Sequence, residues 1–70
     1  MKPITSLRKE RRILVEAIGN EAISAVELAY RLRTAKNLSP QLRSLVDDGY
    51  LQSRKEDRVV RFSLRPEVQP

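Results

Sequence analysis

The apolar positions of the chain form three helical stripes and then one two-residue alternation. Leu7, Leu14 and Ile18, with Ile13 and Ala17 beside them, share one face at helical spacing, while Arg8, Lys9, Arg12 and Glu16 face away. This predicts a first helix, capped by Thr5 or Ser6 and closed by a left-handed residue at Gly19. Glu21-Ala22-Ile23-Ser24 is too short for a free strand and is expected to pair at the edge of a small sheet. Ser24-Ala25-Val26-Glu27 has the form of a capping box, in which hydroxyl and carboxylate satisfy the orphan amides of a helix start. A second helix is predicted from about Ala25 to Arg33, with Leu28, Ala29, Leu32 and either Ala25 or Val26 inward, and Glu27, Arg31 and Arg33 outward.

Leu38, Leu42, Leu45 and Val46 define the third stripe, and Gly49 ends it. Pro40 lies opposite the leucines and lacks an amide donor, so it fits the first helical turn, with Asn37 as cap; a helix begun at Thr34 would instead bend at Pro40. Val60, Phe62 and Leu64 then alternate with Val59, Arg61 and Ser63, the period of a strand with one buried face, and Tyr50 to Ser53 reads as its partner. Arg54-Lys55-Glu56-Asp57-Arg58 is charged throughout and lacks an Asn-Gly step, so a longer, mobile loop is expected at the hairpin tip. Repeats and Gly/Ser linkers are absent from the sequence, which reads as one domain with its core over about residues 6–64 and fraying tails at 1–5 and 65–70.

Composition narrows the chemistry. With 70 residues and neither Cys nor His, the sequence has no disulfide framework, thiolate or imidazole metal site, Ser/His/Asp triad or Cys nucleophile, so a non-enzymatic role without cofactor is expected. Fourteen Lys and Arg against nine Asp and Glu give a net charge of +5, which favours a polyanionic partner and also serves solubility. The longest aliphatic run, Ile13-Leu14-Val15, is far short of a membrane span, and the first six residues carry no apolar signal region. A cytoplasmic protein without a membrane partner is the expectation.

The predicted order of helix, short strand, helix, turn, helix and two-stranded hairpin is the layout of the winged helix-turn-helix domain, an α+β fold of three helices and a small antiparallel sheet. Ser24-x-x-Glu27-Leu28-Ala29-x-x-Leu32, followed by Leu38-x3-Leu42-x2-Leu45-x3-Gly49-Tyr50-Leu51, resembles the ArsR/MarR-type bacterial transcription regulators. The resemblance runs from about Ile13 to Leu64. The segment between Leu32 and Leu42 is shorter than the family pattern, and Pro40 is atypical of its reading helix. Regulators of this kind usually carry dimerisation helices and a ligand or metal site. Nothing in this sequence supplies either, so constitutive binding without a small-molecule effector is expected.

The resemblance implies double-stranded DNA as partner, with the third helix in the major groove and the wing on the backbone. Opposite its leucines the third helix presents Lys36, Pro40, Arg43 and Ser44, flanked by Asn37 and Gln41. The candidate base readers are Lys36, Asn37, Gln41, Arg43 and Ser44: Arg43 for guanine, Gln41 or Asn37 for adenine, Ser44 permissively. Arg31, Arg33 and Thr34 from the second helix and its turn, and Arg54, Lys55, Arg58 and Arg61 from the wing, are the candidate phosphate contacts. A plain solvated face is the competing reading of the helix, and protection of an exposed sheet edge that of the wing. Asp47 and Asp48 oppose the helix dipole and are expected to mark the end pointing out of the groove. Lys2, Arg8, Lys9, Arg11 and Arg12 form the densest basic cluster, suited to a backbone clamp, a solvated face or the border of a dimer contact. Tyr30 and Tyr50 are expected to pack, and with three aromatics in all the chain is poorly equipped for RNA reading by base stacking.

The leading expectation is a small sequence-specific repressor acting by occlusion. A homodimer is suggested by operator symmetry, with contacts through the first helix or the termini. The alternative is a winged-helix protein-interaction module, an adaptor or inhibitor with a protein partner and no DNA contact. Nonspecific architectural binding, governed by salt alone, is a third.

Overall fold

The change of period along the chain becomes three helices and a small antiparallel sheet in the computed structural model, which describes residues 2–3 and 7–69. In order these are β1 (Lys2–Pro3), α1 (Lys9–Ile18), β2 (Ile23–Ser24), α2 (Ala25–Arg31), α3 (Ser39–Asp47), β3 (Leu51–Glu56), β4 (Val59–Leu64) and β5 (Val68–Gln69). The chain is thus α+β, with β2, β4 and β3 side by side in an antiparallel sheet and the helices packed over its inner face.

Helix α1 starts at Lys9 with an extended Arg8 before it, and the expected caps Thr5 and Ser6 lie outside the described residues. Its buried side is Leu14, Val15 and Ile18, whereas Ile13 is 43% exposed. Val15 takes the place beside the stripe expected of Ile13, because packing against the core rotates that side inward along with Leu7 and Ala17. Gly19 closes the helix at φ +58 and ψ −130, a positive-φ conformation open to glycine though outside the left-handed helical well, and its amide donates to the Val15 carbonyl.

Ser24 caps α2 as expected, its hydroxyl accepting from the Glu27 amide at 3.2 Å. The Glu27 carboxylate does not complete the box but faces Arg61 at 4.0 Å. Ala25, not Val26, turns inward beside the buried Leu28, and Val26 stands in solvent. Ile23 pairs with Phe62 and Ser24 with Arg61, so the short segment before α2 does become an edge strand.

The β3–β4 hairpin departs from expectation at its tip. Its register runs from Leu51 opposite Leu64 to Glu56 opposite Val59, which leaves a two-residue turn at Asp57-Arg58 in place of a long loop. Both turn residues have positive φ, +46 and +69, the pattern of a type I′ turn whose twist matches that of the strands it joins. Strand twist therefore outweighs the missing glycine. Leu51 and Phe62 are buried on the inner face, but Val60, expected inside with them, lies beyond the core at 42% exposure.

The tail after Leu64 is folded, not frayed. Its Val68 is buried, the Val68 amide donates to the Arg65 carbonyl at 3.0 Å, and β5 pairs in parallel with β1. The core consists of Leu14, Val15, Ile18, Ile23, Leu28, Leu38, Leu42, Leu45, Leu51, Phe62 and Val68, and among the described residues no polar side chain is buried. No helix among them is long and apolar enough to cross a membrane.

Candidate nucleic-acid interface

Leu38, Leu42 and Leu45 bury one side of α3 and Val46 packs beside them, which fixes the opposite side as the face the helix offers to solvent. The Asn37 side-chain oxygen accepts from the Ser39 amide at 3.1 Å, and Pro40 sits at the helix start, where no amide donor is required. The N-cap position of α3 is Leu38, one residue past the expected Asn37, and it makes no side-chain cap bond; Asn37 instead braces the turn just before the helix. The bond from the Ser39 amide uses one of the two acceptor sites of the Asn37 carbonyl, the group that a bidentate contact to adenine would need, and fixes its direction.

Pro40, Arg43, Ser44 and Asp47, at spacings of three, one and three, form the outer ridge of α3; Pro40, Arg43 and Asp47 are exposed and Ser44 half-buried. Gln41 does not join them. It lies on the flank and lines an open cleft with Arg8, Lys9, Arg11 and Tyr50 from the α1 side of the molecule. Asp48, on the same flank, holds the Arg11 guanidinium at 3.1 Å.

The turn leading into α3 carries Arg33, Thr34 and Lys36 and has a specific geometry. The Arg33 amide donates to the Tyr30 carbonyl at 3.1 Å and the Thr34 amide to the Ala29 carbonyl at 3.0 Å, the paired bonds of a Schellman motif, with Arg33 at φ +55. Helix α3 ends on the same pair of bonds, from Gly49 to Val46 and from Tyr50 to Leu45, with Gly49 at φ +86. One motif is built on glycine and the other on arginine. The Thr34 hydroxyl accepts from the Lys36 amide at 3.2 Å and fixes the rest of the turn, while the Arg33 and Lys36 side chains remain exposed.

The cations divide into two sets. Arg31, expected on the backbone, instead ties helices together: it donates to the Ala17 carbonyl at 3.0 Å and to Glu21 at 2.6 Å. Arg61 donates to the Ala22 carbonyl at 3.4 Å with Glu27 beside it, and Arg54 stands 3.6 Å from Glu56. Arg54 and Arg61 face each other directly across the hairpin, so these acids offset a like-charge pair. Arg33, Lys36, Arg43, Lys55 and Arg58 are exposed and have no ion pair among the described residues. Sequence separates none of these, because a guanidinium's partners are set by tertiary placement. Arg8, Lys9 and Arg12 of the α1 cluster likewise have no ion pair there, and the Lys2 side chain lies outside the described residues.

Two surface features were not expected. Tyr30 is 86% and Val26 81% exposed, one turn apart on α2, so Tyr30 does not pack, whereas Tyr50 is half-buried against the core. Asp47 lies on the outer ridge of α3, in line with Arg43. Its spacing is visible in the sequence, but the helix dipole acts on Asp47 and Asp48 alike and does not distinguish them, whereas their side chains turn apart. No group of His, Cys, Asp and Glu able to hold a metal ion occurs among the described residues. No family model, curated protein or solved structure matches the chain.

Proposed function

We propose that the chain is a winged helix-turn-helix protein that binds double-stranded DNA and regulates transcription by occlusion. In this reading α3 enters the major groove, Arg33, Thr34 and Lys36 meet phosphates on one side, and the β3–β4 hairpin, as wing, sets Lys55 and Arg58 against the backbone on the other. One observation carries it: the leucine-packed α3 turns Arg43 and Ser44 outward, and the adjoining turn adds cations with no ion pair among the described residues. Arg31 and Arg61, held by internal partners, are left out of the contact set.

The test is fluorescence anisotropy on a duplex selected from a random pool and on a scrambled one. Arg43→Ala is expected to lose about 1 to 3 kcal/mol on the selected duplex and little on the scrambled one. Arg58→Ala should weaken both alike and reduce the salt slope by about one. Equal effects of the two variants would count against base reading by α3.

The exposed Val26–Tyr30 pair favours a second reading, a protein-interaction module of the same layout. The double variant Val26→Ser, Tyr30→Ser separates the two: unchanged duplex affinity leaves that face to another role, whereas its loss assigns the face to DNA. Sedimentation with and without duplex tests the homodimer suggested by paired half-sites.

A further inference from the structure

The end of the outer ridge on α3 carries a charge of the wrong sign for a phosphate surface. Asp47 is exposed, lies one helical turn beyond Arg43 and has no ion pair among the described residues, whereas the adjacent Asp48 turns aside to Arg11. At a helix C-terminus the dipole disfavours a carboxylate, and on a DNA-facing ridge the phosphates disfavour it again. A carboxylate has only acceptor sites, so what the major groove can offer it is an exocyclic amine, and the cytosine 4-amino group is the donor that Asp matches there.

We infer that Asp47 is a specificity-determining residue: it accepts a hydrogen bond from a cytosine amine and weakens binding wherever that amine is missing. The inference rests on the DNA-binding reading above, with the last turn of α3 lying in the groove and not pointing out of it as the helix-dipole expectation has it. Four residues of helix advance about 6 Å, so the cytosine falls about two base-pair steps from the base met by Arg43. Attraction to one base and repulsion from every other duplex surface act together, and the second requires no contact at all.

The experiment is selection from a randomised duplex pool with wild type, Asp47→Ala and Asp47→Asn, together with affinities for a scrambled duplex at fixed salt. Wild type is expected to prefer cytosine at one position by about 5- to 100-fold. Asp47→Ala should lose that preference alone and bind scrambled duplex about two- to five-fold more tightly, since a repulsive charge is gone. Asp47→Asn, which both donates and accepts, should move the preference from cytosine to adenine. Identical selected sequences for all three proteins overturn this inference and leave DNA binding standing. A wild type that retains no duplex even in dilute salt overturns the DNA-binding reading, and this inference with it.

Discussion

Arg33 and Gly49 occupy equivalent positions in two copies of one helix-ending motif, and they differ in what that position costs. A left-handed conformation disfavours a side chain by about 1 to 2 kcal/mol, which glycine avoids, although glycine gives part of this back through the entropy of the unfolded chain. Arg33→Gly is therefore expected to stabilise the fold by about 1 kcal/mol, about 4–8 °C in Tm for a domain of this size. It should lower duplex affinity at the same time. Thermal melts and anisotropy on the one variant check both signs; a stability gain without an affinity loss would leave Arg33 without a functional reason for its strain. Gly49 could be assigned as a helix stop from sequence, since glycine after an apolar stripe has that meaning. Arg33 could not, because nothing in an arginine codon marks a positive φ, and the partners that hold Arg31 and Arg61 likewise come from elements distant in the chain.

At the scale of elements, the legible parts are those whose signal is local. The Ser24 cap, the leucine stripe of α3, the place of Pro40 in its first turn and the pairing of Ile23 against the sheet all follow from residues within one turn or one strand. The tight turn at Asp57-Arg58 was hidden because strand twist, a property of the whole hairpin, selects it over the loop that composition suggests. The folded C-terminal segment was hidden because one buried valine, Val68, anchors it. That segment carries a pH dependence. The Arg65 guanidinium, donating to Glu67 at 2.5 Å, holds the Glu67 carboxyl below its ordinary range, and the Glu67 backbone amide acts in the same direction. A depressed carboxyl contributes above its unfolded pKa and loses that contribution as pH falls through the folded one. Amide shifts of residues 65–68 should therefore move with acidification below the usual glutamate range, and Glu67→Gln should abolish the movement; a titration unchanged by the substitution would refute the link.

For the whole molecule, an apolar core of this size leaves little margin, since domains below about 70 to 80 residues rarely draw more than about 3 to 5 kcal/mol from one core. Leu42, fully buried under α3, joins that core to the ridge proposed to meet DNA. Leu42→Ala should cost about 2 to 5 kcal/mol, most or all of that margin, and lower the thermal midpoint accordingly, as circular dichroism would register; an unchanged melt would show that the core has slack. The cations of α3, its preceding turn and the hairpin tip, unlike Arg11, Arg31 and Arg61, do little for the fold: they stand outside the core and are available to a polyanion.

The proposed function places duplex DNA on the outward side of α3, its flanking turn and the hairpin tip. Amide chemical-shift mapping on addition of a selected duplex tests it most directly. The largest perturbations are expected at residues 33–36, at Arg43, Ser44 and Asp47, and at residues 55–58, with the buried leucine side of α3 little affected. Perturbations centred on Val26 and Tyr30 or on the α1 cluster, or none at all in dilute salt, would contradict it.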